Sequence, residues 1–383
     1  MKKLAVMLPN WVGDACMATP ALRSLRRELA GEVQIVWIGR PGPLGVLGGL
    51  YAEGLPGQAA PELGLRGADA SIESSLPDEL LWADGSICYK PRSKSESVLN
   101  RRRLVRAMRA AKFDTILYLT NSLSTAWMGR LAGIPRRIGY ARDGRSLLLT
   151  DRVAVRQGSS DAIKDPCIDN YMRLIRVLGC KSTDRRTELR VSHADQQLAG
   201  ACLASVGFSY DRPFVVINAG AATTETKRWG VEPAGNAARR MSEQFDCDVL
   251  IHCGPAEREV ASRIESIAAT PRVRSMGSFD PLPLGLSRAL IAQSRMVIST
   301  DSGPRHIAVA FNKPVVSLFG SIDPKLTLTY NVPERIVALG LECQPCGSYN
   351  CRFKHSECMT KLDAERVFRE ASGVWSNGSG RNS

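Results

Sequence analysis

Apolar positions along the chain fall into short continuous runs separated by stretches of helical period. In the first half "KLAVMLP" (3–9) is followed by "GDACMATPALRSLRREL" (13–29) and "VQIVWIG" (33–39). The order returns in "FDTILYLTN" (113–121), "STAWMGRLAGI" (124–134) and "RRIGYA" (136–141). Short apolar runs bounded by turn residues read as buried strands, and the amphipathic stretches between them as crossover helices, so the pattern predicts a parallel sheet. The second half has the same grammar. Strands are predicted over 213–220, 247–254, 295–300 and 313–320, and helices over 230–245, 256–268 and 303–311. The architecture repeats, but the sequence does not.

The pattern breaks over 180–212, which sets the expected division: one domain over 1–185, a second over 186–372, and a disordered tail over 373–383 ending in "SNGSGRNS". Residues 41–68, rich in Gly and Pro, read as irregular excursions. The expected fold class is α/β, with two Rossmann-like doubly wound domains facing across a cleft. Ligands of such sheets bind beyond the carboxyl ends of the strands.

Composition narrows the class. With 44% hydrophobic and 23% charged residues the chain is that of an ordinary globular protein. No apolar run approaches the roughly 20 residues of a membrane helix. The start "MKKLAVMLPN" begins like a signal peptide, but its apolar stretch, Leu4 to Leu8, is too short for one. It reads as a first buried strand, and a cytoplasmic location is expected. The 11 cysteines are then expected to be mostly reduced. The net charge of +13 is uneven: residues 1–180 carry 26 Lys and Arg against 17 Asp and Glu. That excess points to an anionic partner of the first domain.

Part of the excess lies in residues 90–112, "KPRSKSESVLNRRRLVRAMRAAK", with nine Lys and Arg and one Glu. Val98, Leu104, Val105 and Met108 fit one apolar face. The segment reads either as a helix with a solvated basic face or as a contact for anionic acceptor or lipid head groups. The charge also admits a nucleic-acid-binding protein. No aromatic residues interleave the basic run, which argues against stacking on single strands.

Three loops after predicted strands carry candidate chemistry. In "VISTDSGPRHIAVAF" Asp301 or Ser302 can cap a helix and Pro304 suits its first turn. Gly303 and His306 add more than a cap. A helix start presents N–H groups, Gly303 admits close approach, and His306 can donate to a phosphate oxygen, so the segment reads as a diphosphate site. "NAGAATTETKRWG" (218–230) brings hydroxyls from Thr223 and Thr224 and charge from Lys227, with Trp229 expected to pack beneath. In "LPNWVGDACMATPAL" (8–22) Gly13 opens a helix, and Asp14 reads either as its cap or as a base for an acceptor hydroxyl. Finally, "CQPCGSYNCRFKHSEC" (343–358) has four cysteines that read as ligands of a structural zinc, or as a redox or packing cluster.

Together with "YLTNSLSTAWMGRLAGIPRRIGY", these three loops resemble glycosyltransferase family 9, the bacterial heptosyltransferases of lipopolysaccharide core synthesis, most closely the heptosyltransferase II branch. The quoted motifs span residues 8 to 324 in the family's order. The resemblance implies a GT-B fold, an inverting transfer that needs no metal or other cofactor for the chemistry, and ADP-L-glycero-D-manno-heptose as donor. It implies a lipid A–core acceptor, with peripheral contact at the inner face of the inner membrane and no nucleic acid. It aligns Asp14 with the base and Lys227 with a phosphate contact. Asp301, Ser302, Gly303 and His306 align with the donor-binding segment, and Glu257 with an acidic residue near the nucleoside. Gly13, Asn121 and Ser122 fall on the acceptor side. Two departures lie near the donor: the run "ATTE", and Arg305 where the family usually has an apolar residue. They leave open a different nucleotide sugar, or a nucleotide-sugar epimerase of the same architecture.

Overall fold

The computed structural model of the protein describes residues 1–29, 31, 33–51, 81–89, 94–155, 165–209, 211–221, 224–330 and 332–377, with side chains omitted at 94–98 and 377. The chain divides into two compact units, Met1–Ser192 and His193–Ser383.

In the first unit, strands β1 (Lys3–Met7), β2 (Gln34–Gly39), β3 (Gly85–Cys88), β4 (Thr115–Tyr118), β5 (Arg136–Tyr140) and β6 (Asp151–Val153) form one sheet. Its order is β3-β2-β1-β4-β5-β6, and every pairing is parallel. Helices α1 (Val12–Glu28), α2 (Pro41–Val46), α3 (Lys94–Ala111), α4 (Leu123–Leu131) and α5 (Cys167–Arg176) cross between strands or pack on the sheet. The strands are apolar on both sides because helices cover both faces. Ala5, Met7, Val36, Ile38, Ile116 and Tyr118 share one core cluster with Leu104 and Met108 of α3. The Met, Val, Ile and Leu side chains among them each contribute about 1.5–3 kcal/mol by leaving water. Helix α4 lies close on β4 because Gly129 has no side chain; a Cβ there would sit 1.9 Å from the Tyr118 hydroxyl.

In the second unit, β7 (Phe214–Asn218), β8 (Asp248–Ile251), β9 (Val273–Ser275), β10 (Met296–Thr300), β11 (Val315–Leu318) and β12 (Glu334–Val337) form a sheet ordered β12-β11-β10-β7-β8-β9, again all parallel. The helices are α6 (His193–Ser205), α7 (Val231–Gln244), α8 (Arg258–Ala268), α9 (Leu284–Gln293), α10 (Gly303–Ala310), α11 (Glu357–Thr360) and α12 (Ala364–Asn377). Read from the β9 edge, the order is that of the first sheet. Each sheet therefore reverses direction once, between β1 and β4 in the first and between β7 and β10 in the second.

Three sequence expectations need adjustment. The division falls at 192/193 rather than 185/186, because residues 181–188 lie along α1. Buried Arg23 of α1 pairs with Asp184 at 3.0 Å and Glu188 at 3.1 Å, and the Thr19 hydroxyl accepts from the Glu188 N–H at 3.1 Å. Residues 373–377, assigned to the tail, continue α12, where Ala371 and Val374 are buried. Residues 41–46 form α2, with Pro41 supplying a preset first-turn φ. The remainder of that excursion, 52–68, and the tail from 378 lie outside the described residues.

Candidate active site

The described sequence-predicted residues all lie beyond carboxyl ends of strands, most of them around the two points where strand order reverses. In the first unit Gly13 and Asp14 follow β1, and Asn121 and Ser122 follow β4. In the second, Thr224 and Lys227 follow β7, Glu257 follows β8, and Asp301, Ser302, Gly303 and His306 follow β10. Thr223 lies outside the described residues.

Asp301 organises the second-unit cluster. Lys227 sits at the end of a 3-10 turn, Glu225–Lys227. Its ammonium donates to the Asp301 carboxylate at 2.8 Å and to the Asp301 carbonyl at 3.1 Å, leaving its third N–H for a ligand. Arg305, fully buried, reaches the same carboxylate at 3.3 Å, and His306 Nε2 lies 3.7 Å from it. Burial works against the Asp301 charge. His306, Lys227 and Arg305 outweigh it and hold the carboxyl far below the usual carboxylate range. Burial also lowers the His306 pKa; Asp301 opposes this, while Arg305 and Lys227 add to it. His306 is therefore a neutral imidazole at pH 7, with one donor and one acceptor nitrogen.

Arg305 is fully buried, and its burial is compensated. Its guanidinium pairs with Glu334 of β12 at 2.7 Å, donates to the Thr327 carbonyl at 2.9 Å and lies 4.9 Å from the centre of the Phe319 ring. Glu334 and Asp301 balance Arg305 and Lys227, so the cluster is electrically neutral. Nothing in the local pattern singles out Glu334, a lone acid in a short edge strand.

The helix starts differ from the capping expectation. Ser302 is the N-cap of α10, but neither it nor Asp301 caps the helix through its side chain. The Ser302 hydroxyl instead accepts from Asn218 Nδ2 at 2.9 Å, tying β10 to β7. Glu257 has its carboxylate against Gly220, where a Cβ would come within 2.4 Å of it, and accepts the Gly254 N–H at 3.2 Å. Gly220 is thus the residue that lets Glu257 approach the β7 end. Thr224 is buried. Trp229 is buried as expected, its indole N–H donating to the Leu362 carbonyl at 2.7 Å.

In the first unit Asp14 does not cap α1. The N-cap is Trp11, and Asp14 is in the first turn, where a carboxylate suits the positive helix end. Its charge acts on Tyr171 of α5, whose hydroxyl is pushed well above its ordinary pKa, first by burial and then by Asp14, Cys167 and Tyr140. Tyr171 thus stays protonated beside Asp14. Sequence reasoning missed it because α5 lies far along the chain. The Asn121 side-chain oxygen accepts from buried Arg145 at 3.1 Å. Ser122 is the N-cap of α4, and its hydroxyl shares a 2.6 Å hydrogen bond with Ser124. Ser122 lines a pocket of about 50 Å³ with Asn10, Arg40, Tyr89 and Arg101.

The four cysteines of the 343–358 segment lie near one another. Cys343, Cys346 and Cys351 act electrostatically on Cys358, and burial is the main cause of its raised thiol pKa. All four thiols are free, and no group of three or more His, Cys, Asp or Glu among the described residues is arranged to hold a metal. The segment also touches the donor loop: Thr226, next to Lys227, donates its hydroxyl to the Ser348 carbonyl at 3.0 Å.

The sequence model described as glycosyltransferase family 9 (heptosyltransferase) matches residues 101–357. Lipopolysaccharide heptosyltransferase 2 of Escherichia coli is 23% identical over 382 residues, covering 97% of this chain and 98% of that protein. Lipooligosaccharide heptosyltransferase 2 of Campylobacter jejuni is 28% identical over 164 residues, covering 42% of this chain and 50% of that protein. The solved structure of E. coli ADP-heptose lipopolysaccharide heptosyltransferase II superposes with a TM-score of 0.73 at 20% identity, covering 99% of this chain and 100% of that one. That likeness shows the GT-B fold.

Proposed function

Because the chain belongs to glycosyltransferase family 9, we propose that it transfers a heptose, with inversion, from ADP-L-glycero-D-manno-heptose to the inner core of a lipid A-linked lipopolysaccharide. The observation that carries the donor half is the Lys227–Asp301 pair beside the start of α10. As the bond from the anomeric carbon to the diphosphate breaks, its electron pair moves onto ADP. Lys227, the first N–H groups of α10 and neutral His306 stabilise the growing negative charge. Thr223 and Thr224 belong to the same donor loop, and Glu257 faces the nucleoside. No metal is needed in this scheme, because the cationic and N–H donors do that work.

The acceptor half belongs to the first unit. The acceptor hydroxyl oxygen forms the new bond to the anomeric carbon and gives its proton to Asp14. Gly13, Asn121 and Ser122 shape the acceptor side. The charge built up on the sugar ring is that of an oxocarbenium ion. A lipid-linked acceptor implies peripheral contact with the inner face of the inner membrane. Among the described residues no helix is long and apolar enough to cross a membrane.

The test is a panel of ADP-, GDP- and UDP-sugars with an acidic lipid A–core acceptor, with and without EDTA, read as released nucleotide and as acceptor mass. The reading predicts ADP release and a heptose mass increment, both unaffected by EDTA. Turnover with another nucleotide sugar only, or a rearranged sugar without acceptor, would overturn it.

A further inference from the structure

A groove of about 870 Å³ lies on the first unit between α3, α4 and the turn Arg145–Leu148. Its apolar residues are unusually open to solvent: Leu147 is 87% exposed, Trp127 53%, Leu123 50% and Leu131 46%. Large apolar side chains grouped this way mark a contact surface. Arginines of α3 rim the groove: Arg101, Arg102, Arg106 and Arg109. Leu104 and Met108 are buried in the core, which turns Arg102, Arg106 and Arg109 on the other side of α3 outward. Arg109 donates to the Leu131 carbonyl at 2.6 Å, fastening α3 to the end of α4. Among the described residues no carboxylate lies within ion-pair distance of Arg101, Arg102 or Arg106.

We infer that this groove docks the protein on an anionic lipid surface, with Trp127, Leu123 and Leu147 entering the head-group and acyl boundary and the arginines meeting lipid phosphates. An apolar floor with a cationic rim matches the two layers of such an interface, and Trp and Arg both favour that depth. A second copy of the chain does not fit as occupant, because two-fold pairing of one surface would set arginines against arginines. The groove also shares Arg101, Ser124 and Met128 with the small polar pocket that contains Ser122. A docked chain would therefore present its acceptor side beside the bilayer. The inference deepens the acceptor half of the proposed function and rests on that reading only for the acceptor's lipid anchor.

The experiment is flotation of the full chain with vesicles of phosphatidylethanolamine and phosphatidylglycerol, and with vesicles of phosphatidylcholine alone. Wild type should float with the anionic vesicles and much less with the zwitterionic ones, with binding falling as salt rises. Arg102→Gln and Arg106→Gln should each weaken binding roughly fivefold. The pair Trp127→Ser and Leu147→Ser should weaken it about tenfold or more. All four positions are exposed, so melting points should hold. If the double variant nonetheless unfolds, quenching of tryptophan fluorescence by brominated lipid replaces it, and Trp127→Phe should remove most of that quenching. Equal flotation of wild type and variants, no flotation of wild type, or quenching unchanged in Trp127→Phe would each overturn the inference. So would variants that alter only the chain's self-association. Nucleotide release with a water-soluble, deacylated acceptor should be unchanged in every variant, which separates failure of docking from failure of the transferase reading.

Discussion

Lys227 and Asp301 are 74 positions apart in the chain and 2.8 Å apart in the fold. They meet because β7 and β10 are neighbours in the sheet, so the loops leaving their ends share one place. The pair fixes a flexible lysine through two hydrogen bonds to one residue. Prepaid orientation of this kind is what makes a charged donor effective in a transition state.

Replacing Lys227 with Ala should therefore act on chemistry more than on folding. Asp301 keeps Arg305 and His306 as neighbours, so the melting temperature should change little. Turnover should fall by about 10²–10³, the usual cost of losing one transition-state donor. Steady-state release of nucleotide alongside a thermal melt reads both. Wild-type turnover would remove Lys227 from the mechanism.

Arg305 should show the opposite profile. Arg305→Leu strands Glu334 and removes one partner of Asp301. Breaking a buried ion pair from one side costs about 3–5 kcal/mol. Adding Glu334→Leu should recover part of that loss, because Asp301 still has Lys227. Denaturant midpoints of the single and double variants decide it: a single variant as stable as wild type contradicts the ion-pair account.

Asp14→Asn isolates the base. The N-cap of α1 is Trp11, so the variant tests no cap. It removes a first-turn charge, worth about 0.3–1 kcal/mol of helix stabilisation, together with the Asp14 charge that acts on Tyr171. Turnover should drop by about 10²–10⁴ while donor binding, measured by nucleotide titration, stays near wild type. A folded variant of near-normal turnover would clear Asp14 of the proton-transfer role.

Acid should weaken the second unit through His252. Its Nε2 shares a 3.0 Å hydrogen bond with Ser287, its Nδ1 has no partner among the described residues, and burial lowers its pKa to about 4. The unfolded chain takes up the proton first, near pH 6.5, and the native state only near 4. The native state is thus fully favoured above pH 6.5 and loses about 3 kcal/mol as pH falls from there to 4. Chemical denaturation across that window should show a flatter decline for His252→Gln, whose amide can still bond Ser287. Parallel profiles for the two proteins would assign the acid sensitivity elsewhere.

The alternation of apolar runs and amphipathic segments made the central strands β1, β2, β4, β7, β8, β10 and β11 legible, because each is a run buried on both faces. Edge strands β3, β6, β9 and β12 are three or four residues long and carry polar or exposed positions, so no periodicity announces them. Helix α9 was missed for a related reason: seven consecutive residues, Gly285–Ile291, are buried, and no polar face marks its period. At the candidate site, motif residues stood out because Gly, Asp and His cluster at strand ends. Their partners did not. Tyr171, Glu334 and Arg40 come from distant segments and meet the site only through packing. The two capping readings failed because a polar residue near a helix start can bond sideways, as Ser302 does with Asn218, instead of along the helix axis.

The matched order of the two sheets bears on how such a chain can change. Donor candidates hang from β7, β8 and β10, and acceptor candidates from β1 and β4, each set above a separate apolar interior. Recombination near residue 192 would exchange one set of loops and leave the other set on its own foundation. A lineage can then acquire a new sugar without relearning its acceptor, or a new acceptor without relearning its sugar.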